Sequence, residues 1–244
     1  MNRGMNIAVI FAGGTGTRMN TKSRPKQFLE MHGKPVLIYT LEHFQNHPQI
    51  DHIILVSLAA WLDYAAELVK KFSITKVSAI VPGGSTGQES IYHGIKKAHE
   101  LYGDKNIVLI HDGVRPLIDK ETITNCIDVT AKKGNAITVS PAIETIFLKS
   151  KKQGEVGEIF DRSSCFMAKA PQCFTLGDIY EAHQKAIQED LLNFIDSASL
   201  MQHYGLKLYT VEGHAENIKI TTPVDFYIFR AIIDAEENLQ IIGL

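Results

Sequence analysis

The segment Ile7 to Phe11 is a short, almost wholly apolar run rich in β-branched residues, and it passes through Ala12 straight into Gly13, Gly14 and Gly16. Apolar residues at both odd and even positions suit a strand covered on both faces, as in a parallel sheet between helix layers. The glycines that follow lack a Cβ, so the backbone can take positive φ and come close to a bound group with its amides turned towards an anion. Arg18, Lys22, Arg24 and Lys26 come next within nine residues, and Pro25 keeps the chain before Lys26 out of helix. Strand, glycine loop and clustered cations together read as a cradle for a triphosphate.

Two other glycine motifs are disfavoured. A Walker A loop needs Gly, four residues and then Gly-Lys-Ser/Thr, and no such string follows Ile10; a dinucleotide fingerprint needs GxGxxG, whereas Gly14-Thr15-Gly16-Thr17-Arg18-Met19 puts Met last. A glycine turn that merely packs a strand against a helix is the plainer alternative, and the density of cations counts against it.

The chain has 244 residues, 45% apolar and 21% charged, with a formal net charge of -2. These values fit a soluble α/β protein with a substantial core and argue against broad nucleic-acid binding, while allowing a local basic pocket. Cys126, Cys165 and Cys173 are scattered and lack metal-ligand spacing, which fits a reducing cytoplasm. The start MNRGMNIAVI has no apolar core adequate for a signal peptide, and no run is long enough to span a membrane.

Strand and helix patterns then alternate. A helix is expected over Pro35 to Phe44, a strand over Ile53 to Ser57, a helix over Trp61 to Phe72 and a strand over Val77 to Val81. The order implies βαβ units and a mostly parallel, Rossmann-like sheet flanked by helices, with ligands beyond the carboxyl ends of the strands. A second glycine-rich loop, Pro82 to Ser90, opens a helix to about Tyr102; it offers donors to a base or phosphate, or it is a surface turn. The strand Ile107 to Ile110 runs into His111-Asp112-Gly113-Val114-Arg115-Pro116. A carboxylate there is costly to desolvate without a cation, so Asp112 is a metal ligand, a partner of Arg115, or both. His111 reads as structural.

Ala136 to Pro141 is a further strand candidate, and a polar out-and-back excursion, ending at Ala170-Pro171-Gln172, reads as a projecting β-hairpin arm at about 143–171 on a single domain spanning 1–244. Leu176 to Glu189 is helical by pattern, and Asp196 is either a substrate contact or a helix N-cap before Ala198-Ser199-Leu200-Met201, the cap being favoured. Leu206 to Glu212 reads as a late strand. Lys219 sits in an alternating segment opposite Ile218 and Ile220, either as a solvated strand charge or as a functional one. Thr222 as N-cap and Pro223 in the first turn start the last helix, with a peripheral tail after Asp234.

The strings AGGTGTRM, RPKQFL and GKP, then HDGVRP, the arm with Arg162 and Pro171-Gln172, and NIKITTP occur in order. Together they resemble the cytidylyltransferases that activate small polyol phosphates, those acting on 2-C-methyl-D-erythritol 4-phosphate and on ribitol 5-phosphate. The resemblance implies a nucleotidyltransferase fold and transfer of CMP from CTP to a polyol phosphate, with Mg²⁺ or another divalent cation and release of pyrophosphate. It assigns catalytic charge to Arg18, Lys26 and Lys219. Nucleotide contacts fall to Ala12, Gly13, Gly14, Gly16, Thr17, Gly84, Ser85, Ser90 and Asp112, with Asp112 also on the metal. Arg115, Thr145 and Arg162 fall on the polyol phosphate side. It further implies a homodimer in which the arm reaches the partner's site. Departures from the family pattern are Ser85 for an acidic residue, Glu144 for Asp, Ala170 for Thr and Ile195 for Thr, and the details lean towards the ribitol branch. A sugar-1-phosphate nucleotidyltransferase and a non-catalytic nucleotide-binding regulator are the rivals; a dinucleotide-dependent oxidoreductase is weakest.

Overall fold

The computed structural model describes residues 4–14 and 24–242. Gly16, Thr17, Arg18 and Lys22 lie outside the described residues. The strands are β1 (Asn6–Ala12), β2 (Glu30–Met31), β3 (Lys34–Pro35), β4 (His52–Ser57), β5 (Val77–Pro82), β6 (Ile107–Asp112), β7 (Asn135–Pro141), β8 (Ile146–Lys149), β9 (Val156–Phe160), β10 (Phe166–Thr175) and β11 (Thr210–Glu212). The helices are α1 (Val36–Asn46), α2 (Leu62–Lys71), α3 (Gly87–Tyr102), α4 (Lys120–Lys133), α5 (Leu176–Gln188), α6 (Ser197–His203) and α7 (Pro223–Ile242).

Seven strands form the central sheet in the order β11-β7-β10-β6-β1-β4-β5. Every pairing is parallel except those of β10, which runs antiparallel to β6 and β7. Alternation along β1 divides the core. Ala8 and Ile10 belong to a cluster with Leu37, Leu41 and Phe44 of α1 and Ile123 of α4, whereas Ile7 and Val9 pack with Ile91 and Ile95 of α3 and Ile179 of α5. All four β1 side chains are fully buried, which is why this run carries no polar residue on either face. On α3, Gly94 permits close approach to the sheet, since a Cβ there would stand 2.5 Å from Val9 and 2.8 Å from Val56.

The early alternation follows the sequence reading, with α1 beginning one residue after Pro35. The arm differs from it. The projecting pair is only β8 and β9, followed by a 3-10 turn at Arg162–Ser164, and the chain then enters β10. The segment Ala170-Pro171-Gln172 is therefore not the end of the arm but part of a central strand. A register shift between Ala168 and Gln172 opens the ladder to β7 where Pro171 could not donate a hydrogen bond.

Two further differences bear on the site. The late strand shrinks to Thr210–Glu212, and Asn217 to Thr222 is irregular rather than a strand, although Lys219 is exposed and Ile220 buried as the alternation implied. At the start of α7 the cap is reversed: Asp225 accepts hydrogen bonds from the amides of Thr221 and Thr222 and from the Thr222 hydroxyl. Asp196, by contrast, caps α6 as expected, in a reciprocal box with Ser199.

Candidate active site

The loops after β1, β5 and β6 converge at the carboxyl edge of the sheet, the usual ligand position in such folds. The first loop is held from below by Gln27, almost fully buried in a 3-10 turn, whose Nε2 donates to the carbonyls of Ala12 (2.6 Å) and Gly14 (3.3 Å). Gly13 approaches the second loop closely: a Cβ on Gly13 or on Gly83 would stand 3.0 Å from the Ser90 Oγ. Ser90 is itself committed, accepting from the Gly84 amide and donating to the Thr86 carbonyl. Ser85 gives both its amide and its hydroxyl to Glu89 at 2.6 Å, and these bonds pull the Glu89 carboxyl below its usual range. Thr86 caps α3 by accepting from the Glu89 amide, which aims the positive end of a 16-residue helix at the convergence of the loops.

Two cavities meet here. One, of about 480 Å³, is lined by Ala12, Gly13, Gly14, Lys26, Gly84, Ser85, Ser90, Asp112 and Lys219, with Gln27 and Thr86 between them. The other, of about 310 Å³, is lined by Asp112, Arg115, Lys169, Gln172, His183, Asp196 and Lys219 among others. Phe11, Gly87, Asp112 and Lys219 face both.

At the junction Asp112 accepts from Lys219 Nζ at 2.6 Å through one oxygen and from Arg115 Nε at 2.8 Å through the other. Its side chain is 8% exposed and that of Arg115 11%, whereas Lys219 keeps 41% of its side chain in the open. Burial alone would raise the Asp112 carboxyl, but the two cations bring it down to about 2. Arg115 also donates to the Asn217 carbonyl at 2.9 Å, and Asn217 donates to the Ala170 carbonyl, so the irregular segment carrying Lys219 is pinned to β6 and β10. Lys169 adds a third cation to the smaller cavity, its Nζ on the Ala215 carbonyl at 3.2 Å, and its pKa is lowered by burial and by Arg115. The fully buried His111 beside this cluster stays neutral, held down at about 3 by desolvation, and packs on Phe44 as a structural residue.

The arm residues stand apart. Thr145 and Arg162 line neither cavity, and Arg162 Nη1 rests on the Ile143 carbonyl at 3.1 Å. Around them Ile143, Phe147, Val156 and Ile159 are exposed apolar side chains. Ile195, at the rim of the smaller cavity, is 97% exposed. A divalent cation arriving with a triphosphate would find one carboxylate, Asp112, whose oxygens each keep a lone pair beyond the bonds to Lys219 and Arg115. One carboxylate with phosphate oxygens is a donor set that Mg²⁺ accepts.

Sequence reasoning missed Phe11, Gln27, Lys169 and His183. Gln27 was visible as part of the PKQF string but its orientation was not; Lys169 and His183 carry no local pattern that separates them from a strand charge and a helix residue.

Comparison with known proteins agrees with this geometry. Residues 6–235 match the family model described as 2-C-methyl-D-erythritol 4-phosphate cytidylyltransferase. A ribitol-5-phosphate cytidylyltransferase of Vibrio parahaemolyticus is 50% identical over 98% of this chain and 100% of its own, and one of Streptococcus agalactiae is likewise 50% identical over 98% and 100%. A 2-C-methyl-D-erythritol 4-phosphate cytidylyltransferase of Clostridium botulinum is 38% identical over 94% of this chain and 97% of its own. Among solved structures, 4-diphosphocytidyl-2C-methyl-D-erythritol synthase from Anaerococcus prevotii superposes with a TM-score of 0.81 at 27% identity, covering 95% and 96% of the two chains. The chain belongs to the 2-C-methyl-D-erythritol 4-phosphate cytidylyltransferase (IspD) family.

Proposed function

We propose that this nucleotidyltransferase moves CMP from CTP to ribitol 5-phosphate, forming CDP-ribitol and pyrophosphate. One observation carries the reading: a glycine-lined cavity and a cationic cavity abut at Lys219 and Asp112. The first suits a triphosphate and its nucleoside, the second a phosphate with a short polar chain. The choice of ribitol is supported by relatives of that name at 50% identity against 38% for the methylerythritol enzymes.

The chemistry needs no enzyme nucleophile. A phosphate oxygen of the polyol phosphate attacks the α-phosphorus of CTP in line, the new P–O bond forms, and the bond to the bridging oxygen of the β-phosphate breaks with its electron pair leaving on pyrophosphate. Lys219, at the junction, neutralises charge that builds on the α-phosphate, and Lys26 does so on the triphosphate side, joined by Arg18. Arg115 and Lys169 draw the polyol phosphate to the second cavity. Mg²⁺, held by Asp112 and phosphate oxygens, supplies further charge neutralisation of the triphosphate when bound. The arm docks on a second copy, its exposed apolar strip covered there and Thr145 and Arg162 delivered to the partner's polyol site.

The test is pyrophosphate release from CTP and Mg²⁺ with ribitol 5-phosphate and 2-C-methyl-D-erythritol 4-phosphate in parallel, repeated with UTP, GTP and dTTP. Turnover with CTP and ribitol 5-phosphate is expected. Turnover only with the methylerythritol substrate refutes the ribitol assignment, preference for UTP or dTTP with a sugar 1-phosphate favours the wider superfamily, and binding without turnover in every well favours a regulator.

A further inference from the structure

The cavity beside Lys219 contains more than phosphate-binding charge. His183 of α5 lines it with 2% of its surface exposed, and among the described residues neither ring nitrogen has a hydrogen-bond partner. Ser197, the first residue of α6, lines the same cavity at 3% exposure, and its hydroxyl is also without a partner. Leaving a buried donor or acceptor unmade is costly, so two such groups in one wall point to a ligand that satisfies them. Their polar neighbours are not available for the task. Gln172 is held in place, donating to Asp196 and accepting from the Ala198 amide, and Asp196 caps α6.

We infer that His183 and Ser197 are specificity-determining residues that hydrogen-bond the hydroxyls of the polyol chain. The inference rests on the proposed function and deepens it. The phosphate end of the substrate takes the side of the cavity with Arg115, Lys169 and Lys219, which leaves the carbon chain against the wall carrying His183 and Ser197. Burial keeps the His183 imidazole neutral, lowered to about 4, so at neutral pH it presents one N–H and one bare nitrogen. That pair matches a hydroxyl, which both donates and accepts, and Ser197 offers the same dual capacity. A five-carbon chain with a hydroxyl on each carbon up to the phosphate fills these positions; a chain one carbon shorter leaves one unmade, and sites built on hydrogen bonds discriminate strongly on that ground.

The experiment uses His183→Leu, His183→Gln and Ser197→Ala in the full chain, with KM for CTP and for ribitol 5-phosphate, and D-erythritol 4-phosphate as a shorter polyol. His183→Leu is expected to raise KM for ribitol 5-phosphate about tenfold and leave that for CTP within about twofold. It narrows the preference for ribitol 5-phosphate over D-erythritol 4-phosphate, and the melting temperature does not fall, because an unsatisfied buried polar group has been removed. His183→Gln, which keeps a donor and an acceptor, recovers part of the affinity. Ser197→Ala moves the same constants in the same direction and stands in if His183→Leu fails to fold. Unchanged KM for ribitol 5-phosphate in both positions, or equal rises for the two substrates, overturns the inference while leaving the proposed function standing. A wild-type enzyme that turns over no polyol phosphate overturns both.

Discussion

Lys219→Ala separates a catalytic charge from a structural one. The Lys219 Nζ lies 2.6 Å from Asp112 with 41% of the side chain exposed, so the pair is well screened and its loss costs about 1 kcal/mol or less of stability. Asp112 is not orphaned by the change, because Arg115 remains at 2.8 Å on its other oxygen. For a chain of this length that loss lowers the melting temperature by about 2–4 °C. The effect on the reaction is of another order. A preorganised donor aimed at charge that develops in the transition state is worth about 3 kcal/mol, so turnover falls roughly 10²-fold or more. The assay is pyrophosphate release at saturating CTP and ribitol 5-phosphate, beside a thermal melt of the same preparation. Turnover within about threefold of wild type refutes the assigned role. A fall in melting temperature beyond about 10 °C with activity lost in proportion refutes the division between screening and catalysis.

Arg115→Ala behaves differently: its nearly buried guanidinium joins Asp112 to the Asn217 carbonyl, so removal leaves buried acceptors unmade although Lys219 stays on Asp112, costs about 1–3 kcal/mol in a denaturant titration and lowers turnover as Lys219 loses its pinned segment. Gly94→Ala forces a Cβ against Val9 and Val56 and lowers stability by about 1–3 kcal/mol in the same titration, with KM for CTP unchanged in the folded fraction. His183 and His111 are held at about 4 and about 3, neutral in the fold, whereas unfolded imidazoles protonate near 6.5; these two terms are flat above that pH and turn against the fold below it, each by about 2 kcal/mol at pH 5. Urea midpoints at pH 7 and pH 5 read this out, and equal midpoints refute it. Phe147→Glu on the exposed arm converts the expected dimer to a 27.1 kDa monomer by light scattering and reduces turnover, while an unchanged mass removes the arm from the interface.

The parts of the fold that were legible are those whose burial is imposed from both sides. Ile7 to Phe11 had to be a covered strand because no polar residue interrupts it, and Asp196 was legible as the favoured cap because an Asp before an Ala-Ser-Leu-Met run is a common helix start. Phe166 to Thr175 was not legible, because Pro171 is a breaker in any local reading and only the register shift against β7 accommodates it. The site shows the same division. Gly13, Gly14, Lys26, Asp112 and Lys219 sit in strings whose residue types announce their chemistry, and they line one cavity. Lys169 and His183 come from β10 and α5, whose convergence on that cavity is set by sheet order rather than by spacing along the chain.

The ion cluster at the junction explains how one lysine can be both held and available. A lysine free in solvent would lose side-chain entropy on meeting a phosphate, and one buried with a single acid would have that charge cancelled. Here Asp112 divides its two oxygens between Arg115 and Lys219, so it restricts Lys219 while sharing its charge with a second cation. With Lys169 the smaller cavity carries three cations, Arg115, Lys169 and Lys219, against the two carboxylates Asp112 and Asp196. The surplus positive charge is balanced when phosphates enter. Because Asp112 and Lys219 face both cavities, filling the first changes the field in the second, and in the proposed reaction the charge that meets the transition state is fully assembled only when both substrates are bound.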